Sequence, residues 1–470
     1  MSTTAVMTGR ESAARPMEGR VLGVGLAVFT ALVLLCAFVP APLPVRLAAV
    51  AVAAGLCLYS WTGALLVFLS VLALPMQGVG MQGLLPLLAI AVLARWAVLE
   101  FPRSGMRLDA PVIAAVVLLW VLALLALREG SADRIIAWVY PGGALLAGLL
   151  LVNPLKRADL TLVDRLFPLA VVAGFAVRIL KQIGVEPEGL TAAVRASFRQ
   201  DVFEKLMADQ TLMTMGARFN RYLLPGEEPN YTAMQLALVA CVVLFLAAAR
   251  FAGRAGARPQ GYFVGRAVLL GLVLFQIVGT YSRTGLVACA VLGLALLLAV
   301  RMSWLVRAAW AAALLVAVNL LPLVLSGLNA RVATLKTQLG GNLSARSKAW
   351  EGAMEVAGAN PVFGAGPGAV KAAAGIPAHN TYLNFFAELG FVAGVLLLFA
   401  ALVAPAWRLL TTRGGDKETA AVLGASFLVL QIAMGTLTLE YTWIFVMWVA
   451  LLYIGLERLS GRSGPAPERP

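Results

Sequence analysis

Long apolar runs recur from one end of this chain to the other, and they constrain the fold more than any motif does. They fall near 21–39, 47–60, 63–77, 82–99, 110–127, 135–152, 166–182, 230–249, 267–281, 284–300, 304–327, 383–407, 418–437 and 441–457. Backbone amides in hydrocarbon find no water, so runs of this kind cross a bilayer as helices. The 470 residues are 61% hydrophobic and 13% charged, with mean hydropathy +0.88; soluble domains are about a quarter charged. The predicted fold class is an all-α polytopic membrane protein with about 14 transmembrane helices, or 12–14 if the stretch 47–77 is a re-entrant pair.

Charge sets the orientation. With the N-terminus in the cytoplasm, the inner segments hold Arg10, Arg15, Arg20, Arg103, Arg107, Lys156, Arg157, Arg250, Arg254, Arg266, Arg301, Arg408, Lys417 and Arg458, among others. The opposite short loops hold only Arg46, Arg128, Arg134 and Arg283. Both termini are then cytoplasmic, and the first run reads as a signal anchor. The predicted division is a cytoplasmic tail 1–20, N-terminal membrane helices 21–182, a first long periplasmic loop 183–229, central membrane helices 230–327, a second long periplasmic loop 328–382, C-terminal membrane helices 383–459 and a cytoplasmic tail 460–470. Val194, Phe198, Val202 and Leu206 in the first long loop, and Trp350, Met354 and Val356 in the second, recur at helical spacing. They predict amphipathic helices lying on the membrane surface.

The net charge of +14 follows from the inner loops and from anionic headgroups. No basic stretch with stacking aromatics lies outside the membrane scaffold, so nucleic acid is not an expected partner. Cys36, Cys57, Cys241 and Cys289 lie inside apolar runs without metal-ligand spacing, and the chain has one histidine. No metal or other cofactor is expected.

Three clusters can carry chemistry, and the charge bias puts all three on the outer side. The first is Arg218-Phe219-Asn220-Arg221, followed by Pro229-Asn230. The second is the turn Tyr281-Ser282-Arg283-Thr284-Gly285. The third begins with Arg346 and Trp350, passes through the Gly-rich stretch Asn360–Gly368, and ends at His379-Asn380-Thr381-Tyr382. Arginine at a membrane edge either snorkels to headgroups or clamps an anion, and its fixed donors match phosphate oxygens in pairs. Arg218, Arg221, Arg283 and Arg346 together suggest a diphosphate neutralised by the protein itself. His379 at a helix start is either a capping and packing residue or a general base for a hydroxyl. Asn380 either orients an acceptor or caps the helix, and Tyr382 follows it. The glycines at 364–368 allow backbone amides to approach a ligand. Glu388 is expected two turns deeper in the same helix, as a functional acid or as the partner of an arginine.

At these residues the sequence resembles the O-antigen ligase and Wzy-type polymerase family of bacterial envelope enzymes. The resemblance runs through Arg218, Pro229-Asn230, Ser282-Arg283-Thr284-Gly285, Arg346, Trp350, Asn360–Gly366, His379-Asn380 and Glu388-Leu389-Gly390, covering roughly residues 218–400. It implies a metal-independent membrane glycosyltransferase resembling the GT-C-like enzymes. Such an enzyme passes a glycan from undecaprenyl diphosphate to an acceptor hydroxyl at the periplasmic face of the inner membrane. The acceptor is a lipid A–core sugar, another lipid-linked repeat unit, or a protein side chain. Arg218 and Arg283 would hold the diphosphate, and His379 would act as base or orient the acceptor. Arg221, Asn230, Ser282, Arg346, Asn380, Tyr382 and Glu388 would line the substrate site. Ligases tend to place Gly-x-x-Gly nine residues after His-Asn; here Gly390 fits, but Ala393 takes the last position and Gly394 follows it. That departure leaves ligase and polymerase open. The rivals are a transporter or lipid-linked-glycan flippase of similar span number and a non-catalytic scaffold; two long outer loops and no internal repeat favour the transferase.

Overall fold

A computed structural model describes residues 4–38, 43–74, 85–104, 109–129, 131–184, 229–251, 260–280, 282–299, 347–412, 416–437, 439 and 442–460. Every regular element among them is a helix. Apart from the single turn Phe101–Ser104, in chain order they are α1 (Thr4–Phe38), α2 (Leu43–Tyr59), α3 (Trp61–Ala73), α4 (Leu85–Leu99), α5 (Ala110–Ala126), α6 (Ala132–Leu155), α7 (Leu160–Gly184), α8 (Pro229–Phe251), α9 (Gln260–Gly279), α10 (Arg283–Ala299), α11 (347–359), α12 (Ala369–Ala374), α13 (Thr381–Leu398), α14 (Ala404–Thr411), α15 (Lys417–Thr436) and α16 (Trp443–Leu459). A π-helical stretch, Phe399–Val403, joins α13 to α14. Seven described helical segments are long and apolar enough to cross a membrane, and five shorter apolar helices accompany them. The chain is a polytopic membrane protein. One boundary differs from expectation: α1 runs back to Thr4 through the predicted cytoplasmic tail, with its span at Met17–Ala37. The long-loop residues 185–228 and 328–346, the predicted span 304–327 and the tail 461–470 lie outside the described residues.

Side-chain caps start the helices. Ser60, Ser131, Asn380, Asp416 and Thr442 each accept a hydrogen bond from the amide three residues on. Each satisfies a donor that a helix start would otherwise leave open, worth about 1 kcal/mol apiece.

Ion networks gather at one end of the bundle. Asp164 is fully buried at the start of α7. It takes Arg250 and Arg266 at 2.7 Å each, with the Tyr262 hydroxyl donating to both oxygens. Arg408 of α14 joins Asp109 at 2.5 Å and Glu457 at 3.0 Å. Arg458 donates to the carbonyls of Lys156 and Ala158. All these groups belong to segments that the charge bias assigns to the cytoplasm.

The opposite end carries a second, smaller packing unit. Ala353 of α11, Val370 of α12, Ala378 just before α13 and Ala387 within it form a buried cluster separate from the main core. Small side chains let three short segments meet closely there, and this unit holds the residues of interest.

Candidate functional site

The turn between α9 and α10 is built by hydroxyls. Thr280 donates to the Ile277 carbonyl at 2.7 Å and accepts the Ser282 amide at 3.2 Å. Ser282 is buried, accepts the Gly285 amide at 3.2 Å, and donates to Oδ1 of Asn230 at 2.8 Å. Two predicted substrate-site residues from different helices are thus joined directly. A Cβ on Gly285 would lie 2.8 Å from that of Ala233 and 2.9 Å from Cγ2 of Ile277, so glycine lets α8, α9 and α10 close here. Arg283 then opens α10 at its first helical position. The Arg283 side chain, and Arg218, Arg221 and Arg346 entirely, lie outside the described residues.

His379 sits in a second constrained turn. Its φ of 49° is in the left-handed region, sparsely populated by residues other than glycine and often found at functional sites. Ala378 before it is held by Trp350, whose indole N–H donates to the Ala378 carbonyl at 2.9 Å. After it, Asn380 accepts the Leu383 amide at 3.1 Å, so of the two expected roles the cap is present. The Thr381 hydroxyl donates to the Leu437 carbonyl at 2.7 Å and accepts the Leu439 amide at 2.9 Å. The half-buried imidazole therefore hangs on a backbone fixed from both sides. The Tyr382 hydroxyl donates to Gln431 and contacts the Met434 sulfur.

Gln431 reveals the shape of α13. Its Nε2 also donates to the Ala401 carbonyl at 3.2 Å. A straight helix would hold residues 382 and 401 about 28 Å apart, nearly twice what a tyrosine and a glutamine side chain reach in series. The helix is folded over at Gly390, whose φ of 84° and ψ of 176° belong to a region open essentially to glycine alone. The Phe386 ring confirms the fold: it lies against Gly394, where a Cβ would be 2.4 Å from it, although eight residues of helix would separate them by about 12 Å. Glu388, buried beside the break, lies about two turns along from Thr381, as expected, but the straight helix ends just beyond it at Gly390. It lies at the far end of a short arm, 381–389, that leads into a crossing arm, 391–411.

The Gly-rich stretch wedges into this break. Ala365 and Gly366 donate their amides to the carbonyls of Ala387 and Glu388 at 3.1 and 2.8 Å. Phe391 and Val392 donate theirs to Pro361 and Val362 at 2.8 and 3.4 Å. A Cβ on Gly364 would be 2.3 Å from the Glu388 carbonyl oxygen, and one on Gly390 would be 2.4 Å from the Gly364 nitrogen. The amides of Ala365 and Gly366, which the sequence offers to a ligand, are thus used to join two pieces of backbone.

Several supporting residues lack a sequence signal or carry one that the motifs overshadow. Trp138 of α6 is buried, faces Gly366 and donates its indole N–H to Glu129 at 2.9 Å. That donation, together with Arg134 at 3.4 Å, holds the Glu129 carboxyl below the usual carboxylate range against a smaller opposing effect of burial. Arg178 of α7 is buried and donates from Nη1 to the Ala73 carbonyl and to Oε1 of Gln276, both at 3.2 Å. Gln235 of α8 donates to the Leu72 carbonyl at 2.8 Å. A polar residue inside an apolar run is itself a signal, and Arg178, Gln235 and Gln276 all carry it.

The Ser282 turn and the His379 turn both lie at the end of the bundle opposite the Asp164 and Arg408 ion networks. Residues 267–398 match the Wzy_C family model, described as O-antigen ligase. The match begins in α9, takes in both turns and the wedge, and ends with α13. No curated protein matches the chain.

Proposed function

We propose, from the match of residues 267–398 to the O-antigen ligase family model, that this protein transfers a glycan from undecaprenyl diphosphate to an acceptor hydroxyl. The reaction takes place at the periplasmic face of the bacterial inner membrane. The observation that carries the reading is the common location of two built turns, one delivering Arg283 and one delivering His379, at the end of the bundle with few positive short loops.

The acceptor oxygen attacks the anomeric carbon and forms the new glycosidic bond. The bond from that carbon to the diphosphate oxygen breaks, and undecaprenyl diphosphate departs with the electron pair. The acceptor proton passes to the His379 imidazole. Arg283, Arg218, Arg221 and Arg346 stabilise charge gathering on the leaving diphosphate, the kind of preorganised effect that dominates many active sites. Ser282 and Asn230 fix the turn that presents Arg283. Asn380, Tyr382 and Glu388 shape the acceptor side. Direct displacement inverts the anomeric configuration, and no step requires a metal.

The test is transfer from undecaprenyl-diphosphate-linked glycan in proteoliposomes. Arg283→Ala and His379→Ala are expected to lose more than about 100-fold in rate while remaining in the membrane; full activity in Arg283→Ala overturns the reading. Deleting the protein and analysing envelope glycans separates the acceptors: accumulated lipid-linked polymer means ligation, and single repeat units on the carrier mean polymerisation.

A further inference from the structure

The crossing arm of the folded helix has an apolar stripe turned away from the protein. Phe391, Val395, Val403 and Trp407 are exposed along it, about one helical turn or two apart, the spacing of a single face. From 391 to 411 the arm is about 30 Å long, the thickness of a bilayer's hydrocarbon core. Arg408 and its carboxylate partners mark one end of that thickness. Phe391 marks the other.

The stripe does not stop at Phe391. The Phe391 and Val392 amides bond to Pro361 and Val362, so the tip of the wedge lies beside the outer end of the lipid-facing face. Both side chains at that tip are apolar and open: Val362 is 50% and Phe363 48% exposed, next to Phe391 at 62%. Apolar side chains held rigidly at this level, continuous with a lipid-facing surface, have hydrocarbon as their natural neighbour. We infer that Val362 and Phe363 rest in the outer leaflet of the membrane, at the boundary between headgroups and acyl chains. The wedge is then a depth gauge. Because the same wedge is bonded to the arm that begins at Thr381, it ties the level of the His379 turn to the lipid surface. This contact depends on the membrane fold and not on the glycan-transfer reading, so either can fail without the other.

Spin labels in proteoliposomes of phosphatidylethanolamine and phosphatidylglycerol test it. Val362→Cys and Phe363→Cys are labelled in a chain whose four native cysteines are alanine, with Val395→Cys as the lipid-facing reference and Glu355→Cys as the aqueous one. Collision with oxygen exceeding collision with a water-soluble nickel chelate at 362 and 363, as at 395, is expected. Nickel access equal to that at 355 overturns the inference, and so does a label reached by neither reagent, which would mean protein covers the tip. If the cysteine-free chain is not monodisperse, a benzoylphenylalanine at Phe363 in the native chain answers the same question. Photoadducts to phospholipid are expected, and adducts to protein alone overturn it.

Discussion

The hydroxyl of Ser282 donates to the side-chain oxygen of Asn230 across 52 residues of sequence, at 2.8 Å, while accepting the Gly285 amide. One oxygen therefore caps α10 and fastens it to α8. Ser282→Ala loses both bonds and should cost about 2 kcal/mol, against about 1 kcal/mol for Asn230→Ala. Thermal unfolding in detergent of both single variants and the double variant measures the coupling. Strict additivity would mean that the contact carries no energy. Transfer should fall in both single variants, because the Arg283 backbone follows directly.

Gly364 and Gly390 fail for the same reason when substituted. In Gly390→Ala the new methyl meets backbone atoms of Gly364 and Val362 at 2.4 Å, on a backbone conformation that alanine avoids. A loss of about 3 kcal/mol or more is expected, read as a lowered unfolding midpoint and reduced yield of monodisperse protein. Gly358→Ala is the control, since nothing lies within 4 Å of its added carbon. Equal behaviour of the two variants would refute the wedge.

Trp350 supports His379 from the outside. Trp350→Phe keeps the ring but removes the donor to the Ala378 carbonyl. Stability should drop by about 1 kcal/mol, and the turnover number by about tenfold if the loosened turn misplaces the imidazole. An unchanged turnover number would show that the His379 turn holds its place without this bond.

Acid should loosen the Trp138 contact behind the wedge. The Glu129 carboxyl is held below its ordinary range by the Trp138 indole and by Arg134. A depressed carboxylate adds stability above its unfolded range and loses it as pH falls through the folded value. The unfolding midpoint should therefore fall on acidification more steeply in the native chain than in Glu129→Gln. Parallel pH profiles would remove Glu129 from this role.

Arg178 tests whether a buried cation can be spared. Arg178→Leu leaves the Ala73 carbonyl and Gln276 without its donor, at a cost of about 1–3 kcal/mol. Arg178→Lys should recover part of it. A leucine variant as stable as the native chain would count against a structural part for this residue.

The membrane helices are legible in sequence because hydrocarbon leaves a continuous apolar run few alternatives. Lysine and arginine gather in one set of segments, and the ion networks of Asp164 and Arg408 lie among those same segments. The Ser282 turn and the Asn380 cap could be read as well, since each uses short-range chemistry. The fold in α13 could not: residues 383–407 look like one uninterrupted span, and the partner that opens Gly390 lies 26 residues upstream, at Gly364. Trp138 against Gly366 is equally silent, because an aromatic in an apolar helix has too many possible neighbours. Arg178 is legible as a charge in an apolar run, but its partners Ala73 and Gln276 lie 105 and 98 residues away in sequence.

The wedge also has a history in time. Pro361 and Val362 leave the ribosome before Phe391 and Val392, and their carbonyls have no amides to receive until the later segment has entered the bilayer and bent. Docking at Gly390 therefore cannot precede synthesis of Val392, and the Thr381 bonds to Leu437 and Leu439 that steady the His379 turn wait for residues made later still.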